Sequence, residues 1–164
     1  MPTRVAIVVV ALAVLAVPNV AAAHGRTATV ALDFRLSLDR AALTIPGVHV
    51  RVLDGDRSFQ LRVDGDQTVV VKGLLNEPVL RIGPAGVSVN SNSPTAFADK
   101  LVTKSGQGWV HVSNAHLFAW HDHRLAPPPA TRPGYAGQFV LPITVDGKPR
   151  EIDGMFWRVR RPSA

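Results

Sequence analysis

Val48, Val50 and Val52 alternate with His49 and Arg51, and that period of two commits the segment to a β-strand with one buried face. Phe59, Leu61 and Val63 repeat the pattern, and Thr68–Lys72 adds a short β-branched run. The tripeptide Asp-Gly-Asp at 54–56 and again at 64–66, and Asp146-Gly147-Lys148, carry the residues that tight hairpin turns demand. The first two are ten residues apart, inside the spacing of roughly 8–12 that marks an antiparallel sandwich. Further strands are expected at Val79–Ile82, Val87–Asn90, Trp109–Val112, Leu117–His121, Gln138–Val145 and Phe156–Arg160. Beyond residue 23 nothing holds helical periodicity, although Asp39–Leu43 and Pro94–Leu101 each have room for a helical turn or two. The expectation is all-β: a single immunoglobulin-like antiparallel β-sandwich spanning residues 24–164, with Greek-key connections. Ala126–Gly134, with Pro127-Pro128-Pro129 and Pro133, reads as a stiff extended connector inside that domain.

The first 23 residues read differently. Arg4 supplies a short charged region, Val5–Val17 an apolar stretch, Pro18-Asn19 a break, and Ala21-Ala22-Ala23 a small-residue cleavage pattern. That order is a secretory signal peptide. Its 13-residue apolar stretch falls short of the roughly 20 residues that span a bilayer. Processing before His24 leaves 141 residues, enough for a core that needs no covalent staples. Nothing after residue 23 is long or apolar enough to be transmembrane, so the expected location is extracellular or in the cell envelope.

The chain has no cysteine, which removes disulfides, thiolate metal sites and thiol nucleophiles together. Loss of Arg4 takes the formal net charge from +6 to +5. The arginines are spread along strands, apart from Arg158, Arg160 and Arg161, and an exported chain rarely meets nucleic acid. An envelope protein or an anionic envelope polymer is the partner that charge suggests, beside the plainer reading of a solvated basic surface. Catalytic motifs are absent: there is no G-x-S-x-G elbow, no P-loop and no H-E-x-x-H. Neither Ser105 nor Ser113 has triad spacing, so the chain reads as non-enzymatic.

Reactive side chains concentrate in Trp120-His121-Asp122-His123-Arg124. In an extended strand His121 and His123 project from one face, and Trp120, Asp122 and Arg124 from the other. Imidazole suits copper, zinc and nickel, and copper heads that order. His24, as the first residue after processing, would add its amine and ring nitrogen to one ion. That arrangement is similar to the histidine brace of lytic polysaccharide monooxygenases and to the N-terminal histidine of periplasmic copper carriers. The candidate metal ligands are therefore His24, His121 and His123, with Trp120, Asp122 and Arg124 in supporting or structural roles. The competing reading makes the pentapeptide a buried polar knot, in which Asp122 pairs with Arg124 and the histidines fix a strand end. Copper-dependent oxidation of a polysaccharide is a third reading, and one tyrosine with three tryptophans makes the flat aromatic surface it needs hard to assemble. His116 and His111 are weaker ligands, and His49 faces away from a valine row. The segment Asn90-Ser91-Asn92-Ser93-Pro94 favours a turn through its side-chain carbonyls and hydroxyls.

Three segments carry a resemblance. They are Ala23-His24-Gly25; Glu77-Pro78-Val79-Leu80-Arg81-Ile82-Gly83-Pro84 running on through Ala85–Asn90 to Ser93-Pro94-Thr95; and Trp120–Arg124 followed by Leu141–Pro149. In order and spacing the chain resembles a family of secreted actinobacterial β-sandwich proteins, most of them uncharacterised. This chain departs from the family's usual continuation after the motif, having Leu125-Ala126-Pro127 in place of a further histidine and an aromatic. The resemblance implies a secreted β-sandwich and brings no activity with it.

Overall fold

The structure is a computed structural model that describes residues 33–53, 57–129 and 132–160. The signal-peptide expectation, His24 and the first Asp-Gly-Asp turn therefore lie outside the described residues. The described residues form two antiparallel sheets packed face to face. The strands in chain order are β1 (Phe34–Leu38), β2 (Val48–Leu53), β3 (Ser58–Val63), β4 (Val69–Lys72), β5 (Pro78–Gly83), β6 (Gly86–Asn90), β7 (Trp109–Ser113), β8 (Leu117–His121), β9 (Gly134–Val145) and β10 (Lys148–Arg158). One short helix, α1 (Pro94–Ala98), and 3-10 turns at Ala41–Thr44 and His123–Leu125 complete the described elements.

The larger sheet has the order β1-β10-β9-β4-β5-β6-β7 and the smaller the order β2-β3-β8. Seven strands face three, against four facing three in a constant-type immunoglobulin domain. The alternation in Val48–Val52 is fulfilled: Val48 and Val50 point into the core opposite Val63 and Leu61. Between the layers the core is made by Phe59, Leu61, Val69, Val71, Leu80, Ile82, Leu141, Ile143, Ile152 and Phe156, among others. Phe139 joins them, its ring edge-on to Phe59 and to Phe156.

Turn chemistry positions the strands. At the β9–β10 hairpin Val145 pairs with Lys148, and both loop residues take positive φ, 50° at Asp146 and 78° at Gly147. That is the primed turn whose twist matches the flanking strands. Between β5 and β6, Gly86 has φ 85°, and a Cβ there would lie 2.2 Å from the Ser113 carbonyl oxygen, so the close approach of β7 requires glycine.

Three expectations are corrected. The Asp64–Asp66 tripeptide does not close a hairpin, because β3 and β4 belong to different sheets. It is the crossing from one layer to the other, anchored by the Asp64 N–H to the Gly47 carbonyl at 2.8 Å. Strand β1 lies outside the expected set, although Phe34, Leu36 and Leu38 alternate with Arg35 and Ser37; it borders the larger sheet by pairing with β10. Strand β10 begins at Lys148, eight residues before its expected start at Phe156. Its first half hides its strand character because only Ile152 and Gly154 turn inward there.

Candidate functional site

Strand β8 ends at His121, and Asp122 sets the direction of the chain beyond it. The Asp122 backbone is extended, with φ −134° and ψ 127°, and its carboxylate accepts the Arg124 N–H at 3.0 Å. That capping bond turns the chain into the 3-10 turn His123–Leu125, which delivers Leu125 into the core. Asp122 itself is still extended, and burial alternates through it, with Trp120 and Asp122 buried, His121 half-buried and His123 exposed.

The Asp122 side chain is 1 % exposed and every bond it makes is internal. Oδ1 accepts from the Arg124 N–H and from Arg124 Nε at 2.7 Å. Oδ2 accepts from Arg124 Nη2 at 2.6 Å and from Trp120 Nε1 at 3.1 Å. The guanidinium thus grips the carboxylate with two parallel bonds, the strongest geometry open to such a pair. Its remaining arm, Nη1, donates to the Lys72 carbonyl at 2.9 Å. Since Lys72 ends β4 in the larger sheet and Trp120 sits on β8 in the smaller, the pair ties one layer to the other. Trp120 is buried against Phe59, with ring centroids 5.6 Å apart.

His123 sits outside this knot. Its ring is 63 % exposed, and Nδ1 bonds Asp99 Oδ1. The Asp99 side chain, just past the end of α1, is 2 % exposed. Burial pushes its carboxyl above the usual carboxylate range, the nearby Asp122 charge adds to that, and the His123 bond opposes both. His121 occupies the last ladder position of β8 opposite Ser58. His49 and His111 are exposed and bonded to Asp64 and Asn114; His116 is exposed.

A second polar centre adjoins the first. Glu77 Oε1 accepts from Ser93 Oγ at 2.7 Å and from the Thr95 N–H at 3.2 Å, and Oε2 accepts from the Leu75 N–H at 3.0 Å. Ser93 Oγ in turn caps α1 by accepting the Ala96 N–H, and Thr95 Oγ1 accepts the Leu74 N–H. Burial alone would raise the Glu77 carboxyl, but the Ser93, Thr95 and backbone bonds outweigh it and hold the group down at about 2. Gly73 makes room: a Cβ there would lie 2.4 Å from Oε1. Asn90 Nδ2 donates to the Pro78 carbonyl, so Asn90–Thr95 is a folded cap around Glu77. The sequence pointed to a turn here and missed Glu77 as its centre. The available signal was Ser93-Pro94, a capping residue followed by proline at the first helical position.

Among the described residues, no group of three or more His, Cys, Asp or Glu side chains is placed to hold a metal ion. No helix among them is long and apolar enough to cross a membrane. No protein-family model, no curated protein and no solved structure matches the chain.

Proposed function

We propose that this chain is a non-enzymatic β-sandwich module of the cell envelope or extracellular space. In it Trp120–Arg124 clamps the two layers together, and the adjoining end, built from the β4–β5 turn and α1, meets a partner. One observation carries this reading: both oxygens of the buried Asp122 carboxylate are consumed by Trp120 and Arg124. A carboxylate so engaged has little left to offer a ligand, and a buried pair of this kind is costly to break.

A second reading, copper held by His24, His121 and His123, draws support from the Asp99–His123 bond. A histidine whose Nδ1 is held by a carboxylate has its tautomer fixed with Nε2 available as a metal ligand. Copper, if bound, would take neutral nitrogen donors there and supply no chemistry that the clamp requires.

Copper(II) titration by calorimetry separates the two. It compares the chain beginning at His24, the same chain with one extra alanine ahead of His24, and a His121→Ala/His123→Ala variant. The clamp reading expects weak heats that are the same for all three proteins. Tight 1:1 binding weakened by both the alanine and the histidine substitutions would replace it with copper handling.

A further inference from the structure

Leu74, Leu75 and Phe97 are 54, 72 and 58 % exposed. Single exposed leucines are ordinary, but these three share one end of the sandwich. Leu74 and Leu75 lie in the β4–β5 turn, which is hydrogen-bonded to α1 through Thr95 and Glu77, and Phe97 stands in α1 just beyond Thr95. The turn is not loose. The Gly73 N–H reaches the Glu77 carbonyl at 2.7 Å and the Asn76 N–H reaches the Gly73 carbonyl at 3.1 Å, so with Leu74 and Leu75 each backbone donor from 73 to 76 is occupied. A fixed scaffold therefore holds large apolar side chains out in water. That arrangement marks an interaction surface.

The carboxylates nearest this end are all hydrogen-bonded within the fold: Asp99 bonds His123, Asp122 is in the clamp, and the half-buried Glu77 is wrapped by donors. Two lysines flank them, Lys72 half-buried and Lys100 exposed. Lys72 and Asn76 line a shallow groove together with Arg150 and Glu151. Lys100 is exposed and takes φ 58° immediately past α1. It occupies the left-handed position of a Schellman cap, with its N–H on the Phe97 carbonyl and the Leu101 N–H on the Ala96 carbonyl. Glycine is the usual residue there, and a lysine brings a charge to the rim of the apolar tip.

We propose that this end of the sandwich docks onto an anionic lipid bilayer. Leu74, Leu75 and Phe97 enter the boundary between headgroups and acyl chains, while Lys72 and Lys100 meet headgroup phosphates. Apolar side chains and basic charges act jointly at such surfaces, the first through area removed from water and the second through the negative surface potential. The basic balance of the chain from His24 onward, +5 after the loss of Arg4, favours the same approach. The proposal deepens the module reading by naming the partner of its loop-bearing end, and rests on that reading only there.

The test is co-sedimentation of the chain beginning at His24 with vesicles of equal parts phosphatidylglycerol and phosphatidylcholine, beside vesicles of phosphatidylcholine alone. Wild type is expected to partition onto the anionic vesicles and to release as salt rises. A Leu75→Ser/Phe97→Ser variant changes only exposed positions and is expected to melt like wild type while binding at least about tenfold more weakly. Lys100→Gly, compatible with the left-handed backbone, is expected to cost about fivefold in partition. A Leu75→Trp reporter is expected to shift its emission to the blue on binding. Binding indifferent to the serine pair, or equal on both vesicle types, would overturn the proposal. So would concentration-dependent self-association that the serine pair abolishes in the absence of vesicle binding, which would assign the tip to a second copy. A chain that binds no vesicle while Asp122→Asn still unfolds early would remove the lipid partner and leave the clamp standing.

Discussion

Two polar centres meet at one end of this sandwich, and they are wired in opposite ways. In Trp120–Arg124 the partners are two residues apart in sequence, and Asp122 bonds Trp120 and Arg124 on either side of itself. Around Glu77 the Leu75 N–H is close by, but the other two partners, Ser93 and Thr95, stand 16 and 18 residues away. The first centre closes on itself and then reaches across to Lys72, joining the layers. The second gathers a turn and a helix that would otherwise separate, and in doing so fixes the side chains of Leu74, Leu75 and Phe97 outward. One centre consolidates the fold; the other presents a surface.

That contrast can be broken or sharpened by substitution. The largest effect is expected at Asp122→Asn, which leaves a guanidinium buried without its counter-charge. A loss of about 3–5 kcal/mol is expected, read as a lower denaturant midpoint at unchanged slope. A loss below about 1 kcal/mol, the range of an exposed pair, would make the knot ornamental.

Glu77→Gln comes next, with a loss of about 1.5–3 kcal/mol at neutral pH as charge-assisted bonds become neutral ones. Its pH dependence has a definite sign. The folded carboxyl is held at about 2, below its ordinary 4.5, so its contribution is fully present above 4.5 and drains away as pH falls from 4.5 toward 2. Unfolding midpoints measured through that window should converge for wild type and variant; a constant gap would deny the carboxylate its role.

The smallest effect is a gain. Lys100→Gly removes a left-handed penalty of roughly 1–2 kcal/mol at the cost of roughly 0.5–1 kcal/mol of glycine chain entropy, so a net gain of up to about 1 kcal/mol is expected. A loss in thermal unfolding would show that the Lys100 side chain makes contacts that hold α1.

The strands were legible where one face is apolar and the other wet, as in Val48–Val52 and Phe59–Val63. β10 was half hidden because Pro149, Arg150 and Glu151 are exposed, so its early residues carry no hydrophobic period. The Asp64–Asp66 turn misled because turn chemistry reports a change of direction and is silent on which sheet receives the next strand. At the site, the pairing of Asp122 with Arg124 was within reach of sequence because it is local. His121 closes the strand and His123 opens the turn, because Asp122 caps that turn with its side chain. Glu77 and Asp99 escaped notice because their partners are brought to them only by the fold.

Whether Trp120–Arg124 is a clamp is tested most directly by a double-mutant cycle on Asp122 and Arg124. Equilibrium unfolding would compare wild type, Asp122→Asn, Arg124→Met and the double variant. A clamp requires strong coupling, with the double variant about 2–3 kcal/mol more stable than the two single losses combined would allow. Additive losses, agreeing within about 0.5 kcal/mol, would mean that the two side chains act independently and that the layers are held together by the apolar core alone.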